Sequence, residues 1–260
     1  MGVLNVTPDS FFDGGRYETS DAAIAHGRRL VAEGAAIVDI GGESTRPGAE
    51  PVPLDVELAR VVPVVRALAP LVRVSVDTVK AEVAAAALEA GATMVNDVSA
   101  SLCEVAADHG AAWVAMHMQG TPRTMQDDPR YGDVVAEVTT FLLERAGVAR
   151  AAGVEEVWID PGIGFGKTAD HNLSLLRHLP ALVAAADGAG CAGVVVGTSR
   201  KRFIGLLAAP AGAAGPAPAE DRMEGSLATA VAAMVAGAGM VRVHDVAATV
   251  QAARLYGPAA

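Results

Sequence analysis

The chain has 260 residues, of which 52% are hydrophobic, 4% aromatic and 19% charged, with 28 Gly and 14 Pro. A chain this apolar offsets its ordering entropy by burial, which excludes a disordered protein. Lys and Arg number 20 against 30 Asp and Glu, a net charge of −10. That balance argues against a nucleic-acid partner and leaves room only for a local basic pocket.

The two cysteines, Cys103 and Cys191, stand alone, with neither CxxC nor zinc spacing, as reduced residues of a cytoplasmic protein do. The uncharged stretch from Gly225 to Val241 reads as a buried helix running into a strand and not as a membrane span. Met1 to Asn5 lacks the basic and apolar blocks of a signal peptide. These features predict one soluble domain over residues 1–260, with no membrane partner.

Along the chain, short runs rich in Val and Ile alternate with stretches rich in Ala, Leu and Glu. The apolar runs are Gly2–Val6, Ile37–Gly41, Val72–Val76, Thr93–Asn96, Trp113–His117, Val157–Asp160, Val194–Gly197 and Met240–His244. Helical spacing fills the intervals, for example Asp21–Glu33, Val56–Ala69, Ala81–Ala90 and Val134–Ala152. Gly34, Gly91, Gly110, Gly153 and Gly239 are placed to end helices in the left-handed conformation. Strands alternating with helices imply parallel pairing with right-handed crossovers, and eight such units in a chain of this length favour a closed (β/α)8 barrel over an open sheet. Ala208 to Glu220, made largely of Ala, Pro and Gly, is expected to be a surface loop.

What ends the strands is more informative. Read towards its carboxyl end, each run reaches a polar residue: Asn5, Asp39 with Glu43, Asp77, Asn96, His117, Asp160, Ser199 and His244. In a parallel barrel these ends converge on the face that carries active sites. A single Asp or Asn there would read as a helix cap; a polar residue at every end does not.

The run Asp160-Pro-Gly-Ile-Gly-Phe-Gly-Lys-Thr fails both nucleotide tests. A Walker loop needs Gly where Pro161 stands, and a dinucleotide loop needs G-x-G-x-x-G where this chain has G-x-G-x-G. Its glycines are expected to let backbone approach a flat ligand beside Asp160, and Lys167 to be solvated. Ser199, Lys201, Arg242 and His244 follow the seventh and eighth strands, where barrels commonly bind phosphate, so an anionic group is expected there. Arg242 alternates with Val241 and Val243 and so points inward with His244, whereas Arg200 and Arg202 solvate a helix face. Asp77 and Asp160, with Asn96 between them in strand order, leave three options open: a general acid/base pair, a divalent-metal site, or bidentate pairing with a guanidine-like ligand edge, which suits Asn96 best. Thr7–Gly15 and Glu43–Gly48 are long βα loops of the kind that form lids.

Taken together, NVTPDSFFDGG, DIGGESTRPGAE, SVDTVKAEV, MVNDVS, MHMQGTP, DPGIGFGKTADHN, GTSRKRFIG and VRVHD resemble the dihydropteroate synthase family, in the family's order and from Asn5 to Asp245. The resemblance implies a (β/α)8 barrel, usually a homodimer, acting in the cytoplasm in folate biosynthesis. It implies condensation of 6-hydroxymethyl-7,8-dihydropterin diphosphate with 4-aminobenzoate, giving 7,8-dihydropteroate and pyrophosphate, with Mg2+ as cofactor and sulfonamides competing for the aminobenzoate site. Carried over residue by residue, Asp77, Asn96, Met116, Asp160, Phe165 and Lys201 would hold the pterin, with Asp39 beneath. Asn5, Arg242 and His244 would hold the diphosphate, Asn5 also reaching Mg2+, with Asp9 nearby. Phe11, Thr45, Arg46, Pro47 and Ser199 would frame the aminobenzoate. Asp77, Asp160, Lys201, Arg242 and His244 are then the residues expected to carry the chemistry, a dissociative substitution with no protein nucleophile. One departure stands out: after Asn96-Asp97-Val98-Ser99 the family usually continues Gly-Gly, where this chain has Ala100-Ser101.

Two rival readings are weighed against this one. A pterin-dependent methyltransferase shares the barrel and the pterin-holding Asp and Asn, but has no use for the basic residues after strands seven and eight. A non-catalytic paralogue would be expected to have degraded lids, and both lid motifs are intact.

Overall fold

The computed structural model of the protein describes residues 1–7, 16–44, 48–210 and 215–256. Eight strands run in chain order: β1 Gly2–Asn5, β2 Ile37–Gly41, β3 Arg73–Asp77, β4 Met94–Asp97, β5 Ala112–Met116, β6 Val157–Asp160, β7 Gly193–Val196 and β8 Met240–Val241. Every neighbouring pair is parallel, in the order β1 to β8. Past the short β8 the ladder continues. The Arg242 N–H donates to Val196 O at 3.0 Å, the Val3 N–H to Val243 O at 2.9 Å, and Gly2 bridges Val243. Those bonds close the sheet into a barrel.

The helices are α1 Arg16–Ala32, α2 Leu54–Leu68, α3 Ala81–Glu89, α4 Cys103–Asp108, α5 Val134–Ala151, α6 Ala169–Arg177, α7 Leu179–Gly188, α8 Arg202–Ala208, α9 Met223–Val235 and α10 Val246–Tyr256, with a 3-10 turn at Ala219–Arg222. Among them, none is long and apolar enough to cross a membrane. The turn overlaps the expected loop, Ala208 to Glu220, only at its last two residues. Gly34, Gly91, Gly110 and Gly153 take positive φ as expected, whereas Gly239 does not; Gly237, at φ 93°, ends α9 instead. Gly239 has a different reason to be glycine, since a Cβ there would meet the Trp158 ring at 2.9 Å.

Side chains alternate across a strand, so a barrel strand has one row facing the helices and one facing the interior. The outer row (Val38, Ile40, Val74, Val76, Val95, Trp113, Ala115, Ile159, Val194, Val196) packs against the helices in the main core. The inner row starts with an apolar layer of Ile37, Met94, Ala112, Val114 and Val195, packed against Met1, Trp158 and Met240. Two residues further along the strands, Asp39, Asn96, Met116 and Asp160 follow Ile37, Met94, Val114 and Trp158, and are buried. A hydrophobic plug therefore sits directly beneath a layer of charged and polar side chains.

Candidate active site

That polar layer is organised by Arg242. Its Nε donates to Asp39 Oδ2 at 2.6 Å and its Nη2 to Asp77 Oδ2 at 2.7 Å, while Asn96 Nδ2 donates to Asp39 Oδ2 at 3.0 Å. One guanidinium thus bridges two strand-end carboxylates. The sequence reading expected Arg242 to need an anionic partner; within the chain it has two, and its Nη1 makes no hydrogen bond among the described residues. Asp39 Oδ1, Asp77 Oδ1 and Ser75 Oγ are buried with no partner among the described residues. Buried polar atoms left unpaired are costly, so their concentration in one layer marks a place built to receive hydrogen-bond donors. Burial pushes the Asp77 carboxyl up to about 7; Arg242 opposes that shift and the neighbouring Asp39 charge adds to it.

Asp160 faces this cluster from β6. It accepts the Gly162 N–H at 2.7 Å, and burial raises its pKa against the pull of the Lys201 charge. Lys201, at the start of α8, reaches across to the carbonyl of Ile163, and its Nζ stands 4.6 Å from the centre of the Phe165 ring. Burial lowers its pKa to about 8, opposed by Asp160. A lysine on an aromatic face next to a buried carboxylate leaves both groups ready to meet a flat, polar ring.

At the rim beside β8, Ser199 Oγ accepts the His244 N–H at 3.1 Å and lies 3.0 Å from His244 Nδ1. Arg200 is ion-paired with Asp245 at 2.6 Å and Arg202 is exposed, so neither enters the cavity, as expected. Asn5 ends β1 in register with Gly41, and Met116 ends β5 in register with Asp160. Asn5, Asp77, Asn96, Met116, Asp160, Phe165, Ser199, Lys201, Arg242 and His244 therefore all lie at the carboxyl ends of strands or on the loops that follow them. Asp9, Phe11, Thr45, Arg46 and Pro47 lie outside the described residues.

Lys167 departs from expectation, and the glycines around it have a second reason to be glycine. Lys167 is not solvated: it is 2% exposed, with Nζ 2.9 Å from His117 Nδ1 and donating to the carbonyls of Phe165, Gly162 and His117 at 3.0, 3.1 and 3.3 Å. The glycines of the same loop also have a nearer reason than a ligand. Gly162, Gly164 and Gly166 take φ of 65°, 86° and 62°, and Cβ atoms there would collide with His117 O, crowd the Lys201 side chain and strike the Gln119 backbone. Tight packing of the chain on itself requires them.

The sequence reading also missed the groups that support the site. Glu57, 1% exposed on α2, accepts from Thr78 Oγ1 at 2.8 Å and from Lys80, which also donates to Glu43 at 2.6 Å. Glu43 in turn accepts the Val52 N–H at 2.7 Å, pinning the loop after β2 to the end of β3. Asp97, fully buried on the outer row, accepts the N–H groups of Ser99, Ser101 and Leu102 and of the Trp113 ring at 2.7–3.1 Å. Its carboxylate holds the turn in which Ala100 takes φ 52°, where the related family usually has glycine.

Comparison with known proteins agrees with this geometry. Residues 1–244 match the family model described as pterin binding enzyme. The dihydropteroate synthase of Mycobacterium leprae is 48% identical over 266 residues, covering 99% of this chain and 92% of that one. Two solved structures of Xanthomonas albilineans dihydropteroate synthase, each covering 98% of this chain and 90% of theirs, superpose well. The one with 4-aminobenzoic acid has a TM-score of 0.87 at 47% identity, and the one in complex with 7,8-dihydropteroate has 0.82 at 44%. A barrel whose strand-end carboxylates, amide and basic groups share one face, matched over nearly its whole length by such enzymes, belongs to the pterin-binding enzyme family.

Proposed function

We infer that the chain is a dihydropteroate synthase, a transferase that joins 6-hydroxymethyl-7,8-dihydropterin diphosphate to 4-aminobenzoate and releases pyrophosphate. The observation that carries this reading is the side-by-side arrangement of two chemistries: buried carboxylates with unpaired oxygens, and basic groups at the β7 and β8 ends.

In this reading the pterin lies on the polar layer. Its guanidine-like edge donates to Asp160 and Asp77, Asn96 completes the edge, and Lys201, Phe165 and Met116 hold the ring from the side. Asp77 Oδ1 supports this, because it is a buried acceptor with no donor among the described residues. The diphosphate extends towards Asn5, Arg242 and His244, and Arg242 offers its Nη1. As the carbon–oxygen bond to the diphosphate lengthens, Arg242 and His244 stabilise the negative charge leaving with it. The electron-rich dihydropterin, oriented by Asp77 and Asp160, carries the positive charge left on the methylene carbon. The arylamine nitrogen then bonds to that carbon and gives up one N–H proton. No side chain of the enzyme becomes covalently attached. Ser199, with Phe11, Thr45, Arg46 and Pro47 by family correspondence, frames the aminobenzoate, whose site sulfonamides would occupy in competition.

The donor set fits Mg2+ in one particular way. Among the described residues there is no group of three His, Cys, Asp or Glu side chains able to hold a metal, and Asp39 and Asp77 are already engaged by Arg242. Mg2+ tolerates a single protein oxygen when phosphate oxygens and water supply the rest, so Asn5 suffices as its protein ligand. When bound it would neutralise charge on the departing diphosphate.

A homodimer is supported by exposed Leu206 and Leu207 on α8, Met223 and Val235 on α9, and Leu255 on α10, which are helices packed beside one another. Light scattering at micromolar concentration tests that assembly. The two free thiols, Cys103 and Cys191, suit the reducing cytoplasm.

Incubating the purified chain with both substrates and Mg2+ should yield 7,8-dihydropteroate by mass spectrometry. Methyl transfer to a corrinoid acceptor in place of that product would favour the methyltransferase reading instead.

A further inference from the structure

The basic residue of the glycine loop has no part in the scheme above. Lys167 is buried, and among the described residues no carboxylate lies within hydrogen-bond reach of its Nζ. A buried ammonium is kept only where its three donors are well used. Here they serve four acceptors on two segments: His117 O and Nδ1, just past β5, and Gly162 O and Phe165 O, on the loop after β6. His117 is held neutral by burial, its pKa pulled down to about 3, which leaves Nδ1 able to accept.

The rest of the loop is fastened in the same manner. Tyr131 donates to Gly166 O and Gln126 to Gly164 O, each at 2.8 Å, and Asn172 accepts the Gly164 N–H at 2.7 Å. Gly162 O also accepts the Phe165 N–H at 3.0 Å, whereas Gly164 O and Gly166 O take their donors from side chains. Lys167 joins this loop to His117, just past β5, whose N–H also donates to Asp160 O at 3.0 Å. On the β5 side its neighbour is Met116; on the loop side are Asp160, through the Gly162 turn, and Phe165.

We propose that Lys167 is a positioning residue that sets the width of the pterin slot, clamping the end of β5 to the β6 loop so that Met116, Asp160 and Phe165 grip one ring between them. This rests on the pterin reading given above. It is distinct from general support of the fold, because the segments clamped are the two walls of that slot and not the aminobenzoate side.

Lys167→Met keeps the length of the stem and removes every donor. Calorimetry with the pterin diphosphate should show its Kd raised by about 10-fold or more, on the order of one lost charged hydrogen bond. The KM for 4-aminobenzoate should stay within about twofold on the same scale. Leu142→Ala, a fully buried change on α5, should lower the melting temperature yet leave the pterin Kd alone. If Lys167→Met does not fold, Lys167→Gln, which retains two donors, supplies the same reading with a smaller shift in the same direction. An unchanged pterin Kd, or equal losses for both substrates, overturns the proposal. Failure of the unaltered chain to bind the pterin overturns it together with the reading on which it rests.

Discussion

Asp39 and Arg242, 203 residues apart in the chain, meet at 2.6 Å in the middle of the barrel. The same guanidinium reaches Asp77 at 2.7 Å, so the second and third strands are tied to the eighth by one side chain. Binding chemistry and barrel closure therefore share a residue.

Replacing Arg242 by Met would leave two buried carboxylates facing each other. Stability at pH 8 should fall by about 3 kcal/mol, the usual penalty for breaking a buried pair from one side. The loss should shrink towards pH 5, because Asp77, already raised to about 7, takes up a proton and no longer needs the guanidinium. Urea unfolding at the two pH values checks this, and an equal loss at both would count against it.

Asp160→Asn should retain the acceptor for the Gly162 N–H, and hence the loop, while removing the charge that the ligand edge meets. Pterin affinity is expected to drop by about 10- to 100-fold, the range for a charged hydrogen bond, with the melting curve nearly unmoved. A variant that binds as tightly as the parent would remove Asp160 from the site.

The pH dependence of stability contains a signal from His117. Its folded pKa of about 3 lies below the ordinary 6.5, so between those values the unfolded chain binds the proton and the folded chain does not. Stability from this group is complete above 6.5 and falls by about 1.4 kcal/mol per pH unit below it, levelling off near 3. Asp77 slopes the other way over part of the same range, so the comparison must be with His117→Asn, in which the Asp77 effect is unchanged. From pH 7 to 4.5 the unfolding free energy of that variant should gain on the parent's as the pH falls, because the His117 loss is missing and the opposing carboxylates Asp77 and Asp160 remain.

Lys80→Met would strand the carboxylate of Glu57, leaving the Thr78 hydroxyl as its one donor among the described residues. A loss of about 1–3 kcal/mol is expected. Adding Glu57→Leu, which removes the stranded charge, should recover part of it. A double-mutant cycle showing simple additivity would mean the two groups do not depend on each other.

Much of this architecture was legible in the residues. The strands were readable because Val- and Ile-rich runs bounded by glycine and polar residues have few other uses. Their carboxyl ends followed because a barrel fixes where those ends lie. What escaped was set by contacts distant in sequence. Nothing near Lys167 indicates that His117, fifty positions earlier, waits to share its proton. Nor does the neighbourhood of Arg242 announce Asp39. In the sequence nothing distinguishes Glu57 from the other charges of its helix; the approach of Thr78 and Lys80 makes its burial tolerable. Ala100 adopts its left-handed turn because Asp97 binds the backbone on both sides of it, a local constraint stronger than alanine's preference.

In the proposed reaction a single cavity grips the pterin at one end and draws off its diphosphate at the other, with the arylamine needed to complete the exchange. Continuous measurement of pyrophosphate release tests it most directly. With Mg2+ and the pterin diphosphate alone, release should be slow, and adding 4-aminobenzoate should accelerate it while forming one 7,8-dihydropteroate per pyrophosphate. Full-rate release without the amine, or release that Arg242→Met leaves undiminished, would contradict the account.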